Sequence, residues 1–353
     1  MKQTWLDNLL KAMGRERLID SAQHQGLLEL EGSPWWLSLL LGAAAWLSAL
    51  MIGGAFFMPV MLLADGPWGQ MLVGVLMLGA SVWLFRQPGL FSAQLALAFS
   101  LSGQLIVVIA LVQGLDLPTY RLSYPALISA LLAAALFWMP ATALHRMLCA
   151  LLVLGNIAVL IGAGQALALY GLLLASAAVV GWLARAHWAL AGLAQWLRPL
   201  LNAATLVALV LMLFGHQSVM EMLWQRLGTG TVHHWLPLFY RLGAGLLLLG
   251  VGLWLLRNSG RQRLLLLVPL LLLCLLLNQA PGLLVSAALG LAAWQAGSRL
   301  WSAVAPVFAL GYLGELYYSL HLSLLDKSLV LVLSGMGLLV LRWLALRWIG
   351  RLS

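Results

Sequence analysis

From Trp36 to Trp343 the chain is a succession of apolar runs, each close to the roughly 20 residues that a helix needs to cross hydrocarbon about 30 Å thick. No other feature limits the fold so strongly. Hydrocarbon offers no water to the backbone, so a spanning segment must satisfy its own N–H and C=O groups, as a helix does. A β-barrel would instead show short segments alternating apolar and polar, and these runs do not alternate. The surface required in water is missing as well. Only 8% of the residues are charged and 63% are hydrophobic, whereas soluble domains carry about a quarter of charged residues. The expected fold is an all-α, polytopic transmembrane helical bundle with the lipid bilayer as its solvent.

Ser33-Pro34-Trp35-Trp36 joins a helix-capping residue, a proline suited to a first helical turn and two interfacial aromatics, so it marks entry into the bilayer. It divides residues 1–33, a cytoplasmic segment with an amphipathic helix from Thr4 to Ile19, from a multi-span domain over 34–353. The first 33 residues hold nine charges and no apolar core, so the first span is expected to act as an uncleaved anchor. About twelve spans are predicted. The first six run near Trp36 to Val60, Trp68 to Phe85, Phe91 to Val112, Tyr124 to Ala143, Met147 to Gly164 and Ala166 to Leu183. The rest run near Leu200 to Phe214, Leu236 to Leu256, Leu264 to Leu277, Gly282 to Ala296, Trp301 to Tyr317 and Ser328 to Trp343. The pair Leu264 to Leu277 and Gly282 to Ala296 is short enough to form a re-entrant hairpin, which would leave ten spans.

Lys and Arg accumulate in the cytoplasmic loops of membrane proteins. With a cytoplasmic amino terminus, fifteen of the basic residues fall inside and four outside, the outer set being Arg121, Arg226, Arg241 and Lys327. Both termini are therefore expected in the cytoplasm of a cell whose plasma membrane holds the chain. The net charge of +9 reflects this placement and not nucleic-acid binding.

One polar stretch interrupts the apolar pattern near the carboxyl end, LGELYYSLHLSLLDKS, from Leu313 to Ser328. On a continuous helix Glu315, Ser319, Ser323 and Asp326 share an arc of about 80°, with Tyr317 and His321 nearly opposite. Glu315 lies about 14 residues into its span, roughly 21 Å, where a charge costs about 2 kcal/mol or more unless it faces protein or water. Three readings remain open. Glu315 lines a polar cavity or proton path with Tyr318, Ser319 and Asp326; or the helix ends at an aromatic belt of Tyr317 and Tyr318, with Asp326 and Lys327 opening the next helix; or the stretch docks a partner.

Other features point to packing. Cys149 and Cys274 fall inside spans without metal-ligand spacing and read as buried thiols. His216, His233 and His234 are too widely spaced for a metal site and read as a solvated loop. Pro269 and Pro306 are expected to kink their helices. Gly243, Gly245, Gly250 and Gly252 form a stripe of small residues along which another helix can come close. No GxSxG, HExxH, phosphate-binding loop or paired-aspartate motif is present, and no cofactor or enzymatic activity is expected.

The carboxyl-terminal LGELYYSLHLSLLDKSLVLVLSGMGLLVLRW, with PWWLSLLLGAAAWLSAL near the start, resembles the bacterial membrane family catalogued as domain of unknown function 4401. The family's Tyr-rich turn and Leu-Leu-acidic-Lys-Ser sequence are matched by Tyr317, Tyr318, Leu324, Leu325, Asp326, Lys327 and Ser328. The resemblance implies a companion membrane protein with a GDYxxLxY motif, which this chain itself lacks. The expectation is a non-enzymatic subunit or scaffold of an envelope assembly, docking a separate extracytoplasmic partner. The alternative is a small-solute or ion transporter with Glu315 in its path.

Overall fold

A computed structural model describes residues 66–118, 121–162, 165–213, 236–257, 262–278 and 280–319, together with single positions between 36 and 51 and between 328 and 343. The amphipathic segment at Thr4 to Ile19 and the histidine loop at His216 to Trp235 lie outside the described residues. Helices carry the whole described fold: α1 Pro67–Phe85, α2 Leu90–Gly114, α3 Ser123–Phe137, α4 Ala143–Ile161, α5 Gln165–Leu183, the short α6 Arg185–Leu190, α7 Ala194–Leu213, α8 Leu236–Leu255, α9 Gln262–Leu276, α10 Pro281–Gln295 and α11 Arg299–Ser319. Among the described residues seven helices are long and apolar enough to cross a membrane, and α3, α9 and α10 are shorter apolar helices. Single helical positions at Trp36 to Met51 and Ser328 to Trp343 fall within the first and last predicted spans.

Local chemistry sets the helix ends. Pro67 and Pro281 occupy first turns, where the missing N–H would have had no intrahelical partner. Thr142 caps α4, its Oγ1 accepting from the His145 backbone N–H at 3.3 Å. Gly162 then ends α4 at φ 77°, a left-handed conformation that glycine adopts without steric cost. The helices α9 and α11 run on through Pro269 and Pro306.

Helix α10 is the centre of the bundle. Leu284, Val285, Ala288, Leu289, Ala292 and Ala293 along it are buried, and it packs against α5, α7, α8 and α11. Lipid tails are as apolar as leucine, so helices in a membrane associate through close packing at small residues and not through a hydrophobic drive. Alanine and glycine supply that closeness here. A Cβ on Gly243 would collide with Leu172 of α5, and one on Gly252 with Leu270 of α9, so the glycine stripe of α8 admits two neighbours. A second unit pairs α1 with α2 through Val73, Met77, Leu95, Ala98 and Phe99.

Side-chain contacts sort the loops into two ends. At one, Phe85 meets His145, Arg146 Nη1 donates to the Gln195 carbonyl at 3.3 Å, and Arg185 donates to the Ala296 carbonyl. These contacts gather the turns that follow α1, α3, α5 and α10. At the opposite end Gly282, opening α10, lies against Tyr312 of α11, and Gly114, closing α2, lies near Pro67 and Trp68. The pair α9 and α10 therefore runs between the arginine-bearing end and the level of Tyr312. Helix α11 continues about seven residues farther, roughly 10 Å at helical rise.

Candidate functional site

The stretch singled out in the sequence begins on the last turns of α11. Trp301, Ala305 and Tyr312 are buried at helical spacing, and Glu315 continues the same face one turn beyond Tyr312. Glu315 thus points toward the bundle and not toward lipid. It lies about 16 residues, roughly 24 Å, from the start of α11, farther along the helix than the sequence implied, because the helix begins at Arg299. The Tyr312 phenol, 2% exposed, lies within electrostatic reach of both Glu315 and Arg241 of α8, and its oxygen accepts from the Gly282 backbone N–H. Tyr240 packs into the same region and is buried. These groups tie the ends of α8, α10 and α11 together.

Tyr317 lies elsewhere. It stands seven positions beyond Leu310, continues the face on which Val307 and Leu310 are exposed, and is itself half-buried. The structure therefore separates Glu315 from Tyr317, as their helical spacing predicts. Tyr318 and Ser319 complete α11, Ser319 one turn beyond Glu315 along the helix. Ser328 is an exposed helical position, while Ser323, Asp326 and Lys327 lie outside the described residues.

A second polar cluster went unforeseen. Ser100 and Gln104 of α2 face His145 and Cys149 of α4, each pair one helical turn apart. Gln104 Nε2 donates to Ser100 Oγ at 3.2 Å, and Ser100 Oγ lies 2.8 Å from His145 Nε2. A hydroxyl has one donor and two lone pairs, so Ser100 Oγ accepts from Gln104 and pairs with Nε2 in either tautomer of the ring. Cys149 Sγ is nearly equidistant from the two ring nitrogens, at 3.7 and 3.8 Å, so the thiol rests over the imidazole and not in its lone-pair plane. Phe85 approaches the ring edge-on, with centroids 5.0 Å apart.

A serine beside an imidazole is the arrangement of an activated nucleophile. Here Ser100 and His145 are both 0% exposed, and Phe85 and Cys149 cover the ring, so no substrate carbonyl has an approach. The cluster acts as an interhelical clasp, in which each hydrogen bond across a membrane interface contributes about 0.6–2 kcal/mol. The available signal was the pair of polar spacings of four, in two separate apolar runs. The apolar run conceals it, because its periodicity predicts a fifth span from Met147 and so puts His145 and Arg146 in a loop. The Thr142 cap instead starts the helix at Ala143, and Arg146 is only 8% exposed. Among the described residues no group of three or more His, Cys, Asp or Glu side chains could hold a metal ion. Cys149 and Cys274 are free and buried, as expected of packing thiols.

Apolar helices long enough to span and packed through small residues, with polar groups paired across helix interfaces, define a multi-pass α-helical membrane protein. The family follows from residues 34–348, which match the model of Domain of unknown function (DUF4401), and the chain belongs to that family. No curated protein and no solved structure matches the chain.

Proposed function

We propose that this protein is a non-enzymatic membrane subunit or scaffold of an envelope assembly in a bacterial inner membrane. The docking element is the end of α11 and the segment to Ser328. The observation that carries this reading is the division of labour at the end of α11. Glu315 turns inward to the Tyr312 and Arg241 region, which anchors the helix end, while Tyr317 continues the outward face. An anchored helix end that extends about 10 Å past the start of α10 offers a partner a rigid rim. An extracytoplasmic companion membrane protein suits that rim, with Tyr317, Tyr318, Asp326, Lys327 and Ser328 as its contacts. Interfaces favour tyrosine at their centres. The test is co-purification from native membranes. Tyr317→Ala and charge reversal at Asp326 and Lys327 should release a companion that Ser302→Ala retains, and an unchanged set of co-purifying proteins in both variants contradicts the reading.

The inward aim of Glu315 also favours a second reading, a small-solute or ion transporter with that carboxylate in its path. An intramembrane acidic residue facing the bundle interior is the usual mark of an ion or proton route. Proteoliposome flux separates the two. Flux that is lost in Glu315→Gln supports transport, and flux absent from the wild-type protein removes it.

A further inference from the structure

At the arginine-bearing end, a cleft of about 140 Å³ opens between α3, α4 and α7, lined among the described residues by Ala134, Phe137, Trp138, Ala150, Leu154 and Leu200. Its wall is entirely apolar. On α4 the lining residues Ala150 and Leu154 continue the face of Arg146, which lies one turn nearer the helix start. Across from it, Trp196 touches Trp138, with ring centroids 5.1 Å apart, and Arg146 stacks 4.0 Å over the Trp196 ring. Arg146 and Trp196 thus sit beside the cleft at the end of the bundle, next to its wall residue Trp138, and the slot itself is lined by apolar side chains. Trp138 is 69% exposed at the mouth, where an interfacial indole sits at headgroup level.

Arg146 is the second observation, independent of the cleft. It is 8% exposed, and among the described residues it donates only to the Gln195 carbonyl, finds no acceptor for Nε and meets no carboxylate. A guanidinium removed from water without a counter-charge is held at a cost of several kcal/mol. Among the described residues the bundle supplies the cation and the aromatic stack but no anion. We infer that this cleft is a lipid site, in which an anionic phospholipid lays part of one acyl chain against Ala134, Ala150 and Leu154 and sets its phosphate against Arg146. The charge explains the headgroup and the apolar slot explains the chain. The planar fork of arginine suits phosphate oxygens, and the Trp196 stack fixes its orientation. The site lies at the end of the bundle opposite Glu315 and is independent of any docking there.

Native mass spectrometry of the detergent-purified chain, titrated with phosphatidylglycerol or phosphatidylcholine of identical acyl chains, tests the site. The wild-type protein should retain phosphatidylglycerol about fivefold more tightly, the effect of one basic residue facing an anionic lipid. Arg146→Gln should bring the two lipids level, and Arg146→Lys should recover most of the preference. Ala150→Leu, which fills the slot and leaves the charge, should weaken retention of both lipids together. Glycerol 3-phosphate, which has the anion without the chain, should displace neither. Equal retention of the two lipids by the wild-type protein overturns the site. So does a preference that survives Arg146→Gln, or displacement by glycerol 3-phosphate, which would mark an anion site without a chain slot.

Discussion

Gly282 offers the sharpest test of the packing, because one methyl group decides it. A Cβ at this position would lie 2.6, 2.7 and 2.8 Å from three atoms of the Tyr312 ring, closer than carbon atoms approach without a shift. The ring cannot swing aside easily, since it is 2% exposed and held between α10 and α11. Overpacking of this kind costs about 1–3 kcal/mol. Alanine recovers at most about 1 kcal/mol through its better helix propensity, and less near a helix start. Gly282→Ala should therefore destabilise the protein by about 1–2 kcal/mol, combining those two estimates. Cys149 and Cys274 are free and buried, so a thiol-reactive dye reads unfolding in detergent without any added label. The dye transition should move to lower temperature in Gly282→Ala. In a Tyr312→Leu background the same substitution should cost much less, because the ring it strikes is gone. A Gly282→Ala protein as stable as wild type, or an equal loss in both backgrounds, refutes the contact.

Three further outcomes follow from the buried polar groups. Ser100→Ala leaves His145 Nε2 without its 2.8 Å partner and should cost about 1–3 kcal/mol, while Ser100→Ala together with His145→Phe should cost less than the sum of the two; additive losses in a double-mutant cycle would contradict the clasp. Cys149 is 0% exposed and roofed by His145, so thiol reagents should leave it unlabelled in the native protein and should reach it faster in His145→Ala; native labelling at the unfolded rate would contradict its burial. Trp182→Phe deletes the 3.0 Å bond from Nε1 to Thr205 Oγ1 that joins α5 to α7, and should lower stability by about 1–3 kcal/mol in the dye assay, whereas the exposed Trp83→Phe should lower it little.

Much of the architecture was legible because hydrocarbon demands length and apolarity, and both are written in single runs. The second span was expected from Trp68 to Phe85 and is α1, Pro67–Phe85; the glycines of α8 were read as an approach surface, and two helices use them. Boundaries slipped where polar residues belong to a helix. α7 was expected from Leu200 but begins at Ala194, because Gln195, Arg198 and Pro199 sit in its first turns. The six-residue α6 left no apolar run to find. At the candidate site, periodicity alone put Glu315 and Tyr317 on opposite faces, and the structure agrees. It could not say which face was covered, because most of α11 is apolar all round and carries little amphipathic signal to separate protein from lipid. The Ser100 and His145 clasp was hidden for a related reason: pairing between distant helices leaves only a spacing of four in each, and Arg146 drew attention to a loop that is a helix.

The described helices thread back and forth, so that the turns after α1 and α5 lie at one end of the bundle and the turn after α2 at the other. Single cysteines at Gln87, Ala191 and Asp116, all exposed, placed in a chain whose Cys149 and Cys274 are replaced by alanine, test it in sealed vesicles. An impermeant thiol reagent should label Gln87→Cys and Ala191→Cys from the same side and Asp116→Cys from the opposite side. Labelling of all three from one side would contradict the threading.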